Sequence, residues 1–383
     1  MQISSFKSAH TLITGHGCSS ELIEHIKSLN INYPLIVTDK GVRKSGTLEL
    51  ITAQLETMPF SIFDDVNAEP DNEVVEHCFE VYNCKPHDSI ISVGGGSAID
   101  IAKCVAMLAG NSQSLNAMFG ENKVINRGVP HIAIPTTAGT GSEVTNIAIL
   151  AVPREQTKKG VVSNYLLPDV AIVAPEMTLS CPPHVTAASG VDALVHAIEA
   201  YLSKFASPIT DALAIKAMNM IMRHLPTAYE APQDLDAREN MATASLMAGL
   251  AFGNAGVGAV HALAYPLGGR YHISHGVSNA LMLPYVMQWN KSACLARFVD
   301  MANALSTPVS PENNADFVAN KVIQQLHNLC AQVGIPKGLH SLGINKEDIP
   351  ELAQEAIKVE RLLKNNPRKL SLSDIESIYY AAY

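Results

Sequence analysis

The chain is 383 residues long, 47% apolar and 16% charged, with a formal net charge of −9. That length suits two domains rather than one core, and the apolar share excludes a disordered chain. The acidic balance excludes nucleic acid as the main partner, because phosphate binding needs a basic surface. It does not exclude a nucleotide cofactor held by backbone N–H groups.

The first half alternates short β-branched runs with helical stretches. Leu35–Thr38, Ser61–Phe63, Ser89–Val93 and His131–Pro135 read as buried strands, and Val170–Val173 as a further one. Between them, Cys18–Leu29, Thr47–Met58 and Asn72–Asn83 carry helical periodicity. Such alternation predicts a parallel sheet with helices on its faces. Thr145–Ala151 and Gly160–Ser163 flank Pro153–Lys159 in a pattern that reads as a hairpin. Beyond about Pro175 strand-like runs nearly vanish. Helices are expected over Val185–Ser203, Pro208–His224, Ala237–Phe252, Ala255–Pro266, Gly276–Gln288 and Ala315–Val333. The Pro182-Pro183 pair marks a boundary, since proline resists continuing a helix. The expectation is a Rossmann-like α/β domain over 1–180 and an all-helical domain over 181–383.

Seven cysteines, Cys18, Cys78, Cys84, Cys104, Cys181, Cys294 and Cys330, are scattered and contain no C-x-x-C pair. Neither a disulfide framework nor a thiolate zinc site is indicated, and reduced thiols in the cytoplasm are the expectation. Met1–His10 does not read as a signal peptide. The apolar stretch Leu250–Leu267 is interrupted by Asn254, His261 and Pro266, so no membrane span is expected. A homo-oligomer, in the simplest case a dimer, is the expected assembly.

Ser89–Lys103 reads SIISVGGGSAIDIAK: an apolar strand, three glycines, then a helical pattern opened by Ser97. Glycines let the backbone approach an anion closely, and a helix N-terminus adds N–H donors and a favourable dipole. Ser97 is placed to cap that helix and to donate to a phosphate oxygen. A tight turn without a ligand is the plainer alternative, because the spacing is not G-x-G-x-x-G. Asp100 sits in the first turn, where capping and functional roles are equally open. A second loop, Pro135–Thr145 (PTTAGTGSEVT), offers Thr136, Thr137 and Thr140 before Glu143 at a strand's C-terminal end, a position that suits a cofactor.

In Val191–Ser203, Asp192 and His196 are four apart and share one helix face. His261 lies in an apolar stretch rich in small residues, and His275 precedes Gly276 where another helix begins. Any one of 14 histidines is more often a surface or core residue. The four together form an N₃O set that suits Fe²⁺ or Zn²⁺ and fits Mg²⁺ or Ca²⁺ poorly. A divalent ion there would keep net charge +1, which a bound alkoxide would neutralise.

With VGGGSAIDIAK, PTTAGTGSEVT, GVDALVHAIEAYLS, GAVHALAYPLGG and HGVSNALMLPY in this order, the chain resembles the iron-containing (group III) alcohol dehydrogenase family over nearly its full length. The resemblance implies a nucleotide-binding α/β domain, a helical domain and a cleft between them. It implies hydride transfer between a small alcohol or aldehyde and NAD, with a divalent metal, usually iron and in some relatives zinc, on Asp192, His196, His261 and His275. It implies further that Gly95, Gly96 and Ser97 hold the pyrophosphate, that Thr136, Thr137 and Thr145 line the nicotinamide side, that Lys159 reaches the cofactor, and that Asp39 lies near the adenosine ribose. Two positions depart from the family pattern. Tyr265 stands where many relatives have a histidine near the nicotinamide, leaving Tyr265 and His272 as the candidates for a proton relay. Glu69-Pro70 replaces a common Asn-Pro. Arg270 offers a carboxylate anchor for an alternative hydroxy- or keto-acid substrate, and a non-catalytic metal- or nucleotide-binding protein is the reading from a different class.

Overall fold

The computed structural model describes residues 4–153, 157–310 and 312–383. Contacts divide the chain into two units, one spanning Lys7–Cys181 and the other containing Pro182–Tyr383.

Among its described residues the first unit carries nine strands: β1 (Thr11–Thr14), β2 (Pro34–Val37), β3 (Ser61–Phe63), β4 (Ser89–Gly94), β5 (Gly120–Glu121), β6 (His131–Pro135), β7 (Ile147–Val152), β8 (Thr157–Val162) and β9 (Val170–Val173). Its helices are α1 (Leu22–Ser28), α2 (Lys40–Lys44), α3 (Glu49–Thr52), α4 (Asn72–Asn83), α5 (Gly96–Ala109) and α6 (Leu115–Met118). Six strands form one sheet in the order β1-β9-β6-β4-β2-β3, every pairing parallel. Successive side chains on a strand face opposite ways, so β2 sends Leu35 and Val37 to one face and Ile36 to the other. Leu35, Val37 and Ile90 pack with Val75 and Cys78 of α4 and Ile101 and Val105 of α5. Ile36, Ile91, Ile132 and Ile172 pack with Leu22 and Ile26 of α1. Burial on both faces explains why these strands are continuous apolar runs. A small second sheet, β5-β8-β7, holds the expected hairpin as an antiparallel β7–β8 pair with Leu150 opposite Lys159. Residues 154–156 of its turn lie outside the described residues.

The second unit is helical: α7 (Pro183–Leu202), α8 (Pro208–Glu230), α9 (Leu235–Ala255), α10 (Ala259–Tyr271), α11 (His275–Asn290), α12 (Leu295–Ala304), α13 (Ala315–Gln332), α14 (Ile349–Ala356), α15 (Glu360–Leu363) and α16 (Leu372–Ala382). Pro182 and Pro183 open α7 as its N-cap and first residue, where a missing N–H and a fixed φ cost nothing. No single helix among the described residues is long and apolar enough to cross a membrane; α9 and α10, bent by 103°, reach that length and composition only together.

Several expected elements are corrected. Cys18–Glu21 is a 3₁₀ turn ahead of α1, and Thr47–Met58 is only α3 and a 3₁₀ turn, ended ahead of Pro59. The edge strand β1 leaves no clear sequence signature, because four residues of alternating exposure are too short a pattern. Helices α8 and α10 run on through Pro226 and Pro266, past their expected ends.

Candidate metal centre and dinucleotide loops

Asp192 and His196 project from α7, His261 from the first turn of α10, and His275 is the first residue of α11. One ligand atom from each lies within 4.8 Å of the others. Oδ1 of Asp192 stands 3.8 Å from Nε2 of His261 and 4.0 Å from Nε2 of His275. The His196 ring stacks on His261 at 4.8 Å between centroids and on Phe252 at 4.2 Å. Asp192, His196 and His261 are buried, while His275 is partly exposed. Burial alone would raise the Asp192 carboxyl, but His196, His275 and His261 and the Asn279 amide together hold it below the ordinary carboxylate range. The Asn279 Nδ2 donates to Asp192 Oδ1 at 2.7 Å.

The donor set fits a metal on one local observation. Nε2 of His261 is buried with no hydrogen-bond partner, while its Nδ1 lies 2.6 Å from Oε2 of Glu199. A carboxylate can only accept, so Nδ1 carries the proton and Nε2 presents a bare lone pair to the cluster. A buried acceptor left unmatched is costly; a cation shared with Asp192, His196 and His275 satisfies it.

Glu199 is one residue of the site that the sequence alone does not reveal. It lies on α7 seven residues after Asp192 and three after His196, so the helical period already placed it on the ligand face. What was missing was its acceptor role, which depends on α10 passing beside α7.

Of the two proton-relay candidates, Tyr265 lies beside the cluster, its ring 6.3 Å from that of His275. His272 is exposed at the C-cap of α10 with φ 56° and is not among the four clustered residues. Arg270 pairs with Glu351 at 2.5 Å and Asp348 at 3.5 Å.

In the other unit the two loops meet. Strand β4 ends at Gly94, beside Pro135 at the end of β6, and α5 begins at Gly96 with Gly95 as N-cap and no side chain capping it. The expectation that Ser97 caps this helix is therefore corrected: its hydroxyl donates to the Ala68 carbonyl at 2.7 Å. The helix start is thus left open at its backbone amides. Glycine at 96 is required by packing, since a Cβ there would lie 2.6 Å from Thr140 Oγ1; at 95 a Cβ would reach Thr137 Oγ1 at 3.4 Å. Thr136 is buried and its N–H bonds the Gly94 carbonyl at 3.0 Å.

Beneath the loops lies a buried ionic tie. Lys103 Nζ donates to Ser142 Oγ at 3.0 Å, Thr145 Oγ1 at 3.2 Å and the Ile147 carbonyl at 2.9 Å. Asp100 accepts from the Ser142 hydroxyl and from the Ile149 N–H. Burial drives the Lys103 ammonium down to about 8 against the pull of Asp100 and Glu143, and pushes the Glu143 carboxyl up to about 7. The open choice at Asp100 resolves to tying α5 to the start of β7 rather than capping.

At the C-terminal end of the neighbouring strand β2, Asp39 Oδ1 accepts the Gly41 and Val42 N–H groups at 2.7 and 2.9 Å and caps α2. Its Oδ2 faces Gly94, 3.6 Å from where a Cβ would stand. Lys40 pairs with Asp65 and Arg43 with Asp64. Glu69 pairs with Lys158, and Lys159 Nζ stands 5.7 Å from the Phe119 ring centre.

Residues 9–175 match the iron-containing alcohol dehydrogenase family, and residues 186–383 match the Fe-containing alcohol dehydrogenase family, C-terminal. The chain belongs to the iron-containing alcohol dehydrogenase family. It is 43% identical over 379 residues to long-chain-alcohol dehydrogenase 1 of Geobacillus thermodenitrificans, covering 96% of this chain and 94% of that one. It is 37% identical to the NAD-dependent methanol dehydrogenase of Bacillus methanolicus, with 96% of each chain covered. A crystal structure of a 1,3-propanediol oxidoreductase superposes over 100% of both chains with a TM-score of 0.97 at 36% identity. Membership accounts for both halves of the architecture, the parallel α/β unit and the helical unit.

Proposed function

We propose that the chain is an NAD-linked, iron-dependent alcohol dehydrogenase that moves a hydride between a small alcohol or aldehyde and nicotinamide. The observation that carries this reading is the convergence of Asp192, His196, His261 and His275, with a bare imidazole nitrogen aimed among them. A divalent ion on these residues supplies Lewis acidity, lowering the alcohol's pKa and stabilising the alkoxide. Neutral imidazoles and one carboxylate suit Fe²⁺, with Zn²⁺ as the competing ion. Tyr265, beside His275, is better placed than His272 to pass a proton. In the Lys7–Cys181 unit, the amides at Gly95, Gly96 and Ser97 receive the pyrophosphate, Thr136, Thr137 and Thr145 border the nicotinamide, and Lys159 reaches the cofactor. Both relatives named for long-chain alcohol and methanol oxidation support an alcohol substrate. A carboxylate substrate held by Arg270 is not favoured, because Glu351 and Asp348 already occupy that guanidinium. None of the seven cysteines is in a disulfide, which suits a reducing cytoplasm; a homodimer is the assembly we expect, checked by light scattering.

The test is NADH formation over a panel of alcohols, with protein stripped by chelator and then reloaded with Fe²⁺ under anaerobic conditions or with Zn²⁺. Activity should appear only after reloading. Reloaded protein that turns over no alcohol or aldehyde with either nicotinamide would overturn the reading.

NAD should be preferred over NADP. Near Asp39 a 2′-phosphate would meet a like charge, costing about 2–4 kcal/mol at an effective dielectric near 20. The two neighbouring cations, Lys40 and Arg43, are engaged by Asp65 and Asp64. Asp39→Gly should raise NADP efficiency relative to NAD by at least tenfold. It should also lower stability by roughly a few tenths of a kcal/mol through the lost side-chain cap of α2, since glycine is itself a tolerated N-cap. A stability loss with an unchanged cofactor ratio would reduce Asp39 to a helix cap.

A further inference from the structure

We infer that Glu199 is a positioning residue that fixes the tautomer and aim of His261 and so sets how tightly the centre holds its ion; this rests on the metal reading above. Glu199 is buried on α7, its side chain 2% exposed, and neither oxygen is idle. Oε2 accepts from Nδ1 of His261 at 2.6 Å, and Oε1 accepts the Val260 N–H at 2.6 Å. Val260 and His261 are the second and third residues of α10, whose N-cap, Gly258, brings no capping side chain. One carboxylate thus does two things at once. It satisfies an orphan amide at the positive end of α10, where the helix dipole favours an anion, and it holds the His261 ring from behind.

The surroundings leave that carboxylate one place to be. A Cβ on Gly258 would lie 3.2 Å from Glu199 Oε1 and 3.1 Å from Asn366 Oδ1, so glycine there admits the acceptors. Asn366 is itself locked to Asn290 by reciprocal amide bonds of 2.9 and 2.8 Å. The start of α10 is therefore clamped by α7 on one side and by the 365–366 turn on the other, where Asn365 Nδ2 donates to the Val257 carbonyl at 2.8 Å. Outer partners of this kind raise the basicity of a ligating imidazole, and removing one typically costs about 10–100-fold in metal affinity.

Glu199→Gln isolates the effect because it keeps size and shape. An amide presents one acceptor and one NH₂ group, yet it faces two donors, Val260 N–H and His261 Nδ1–H. If the NH₂ end meets the imidazole, the ring must move its proton to Nε2, which then cannot ligate. If it meets Val260, the helix start is unsatisfied, and the imidazole is backed by a neutral amide oxygen instead of a carboxylate, which lowers its basicity as a ligand. Zn²⁺ affinity of Glu199→Gln, measured by chelator competition, should fall 10–100-fold, with the same order of loss for anaerobic Fe²⁺. His261→Ala runs beside it: if His261→Ala keeps wild-type affinity, the metal reading itself fails. If His261→Ala loses the ion while Glu199→Gln binds as wild type, only the inference about Glu199 fails. A purely structural role predicts a lower unfolding temperature for metal-free Glu199→Gln with unchanged affinity. The wild-type protein supplies a reading that needs no variant to fold: in metal-free protein, ¹⁵N spectra should place the His261 proton on Nδ1. A proton on Nε2 would overturn the inference.

Discussion

His261→Ala is expected to lose bound metal and turnover together, with kcat/KM down by on the order of 10³-fold or more, since the ion's charge stabilisation is worth several kcal/mol. His261 is buried with a bare Nε2, and its three companions come from α7 and α11. His275→Ala should weaken metal binding less, because His275 is a third exposed (32%) and water can replace its nitrogen. His272→Ala is the control. Exposed and at φ 56°, it should keep full metal content and lose about 1 kcal/mol of stability at most, from alanine in a left-handed position. In His261→Ala the Glu199 Oε2 also loses its donor in a buried setting, at about 1–3 kcal/mol, so metal content must be compared on protein shown to be folded by thermal unfolding. Full metal occupancy in folded His261→Ala would remove the assignment.

Much of this was readable from the chain, for physical reasons that differ by element. The strands were legible because β2, β4, β6 and β9 are covered on both faces, which demands unbroken apolar runs. Helix α4 was legible to the residue, since Asp71 caps it through the Val74 N–H at 2.9 Å and its apolar positions follow one stripe. Two helix ends in the second unit are less legible, because the expected helices stop short of Pro226 and at Pro266, whereas α8 and α10 continue through them. Pro284 also lies inside a helix, α11, and there the expected span Gly276–Gln288 already runs through it. Each forfeits one backbone bond, a loss that burial of the surrounding helix offsets and that local pattern does not reveal. The four proposed ligands were visible as a pattern because two share a helix turn and two sit at helix starts. Glu199, Asn279 and Lys103 were not, although all three lie inside noted motifs. Their partners are 62, 87 and 39 residues away for His261, Asp192 and Ser142, and nothing local says that a buried carboxylate, amide or ammonium will find its mate. Ser97 shows the converse: a good local cap was overridden by a carbonyl 29 residues back, at Ala68.

Gly95→Val should separate cofactor binding from folding. The Gly95 backbone has φ −72° and ψ −175°, extended values open to any residue, so valine brings no backbone strain. Its Cβ would meet Thr137 Oγ1 at 3.4 Å and Cγ2 at 3.5 Å, close enough to need small shifts and no more. The cost to folding is therefore about 1 kcal/mol, the small end of overpacking. The branched side chain would nevertheless stand at the N-cap of α5, over the amides proposed to receive the pyrophosphate. Losing two charge-assisted hydrogen bonds there, at about 1.5–3 kcal/mol each, predicts that the NADH dissociation constant rises by at least about 10²-fold. Gly96→Val should behave differently, because its Cβ falls 2.6–2.9 Å from Thr140 Oγ1, Cγ2 and Cβ. That overlap forces the two loops apart, so stability and NADH affinity should fall together. Fluorescence titration with NADH and a thermal melt on each variant distinguish the two cases. If Gly95→Val binds NADH as the wild type does, the glycine loop is a tight turn, and the cofactor amides must lie elsewhere at the strand ends.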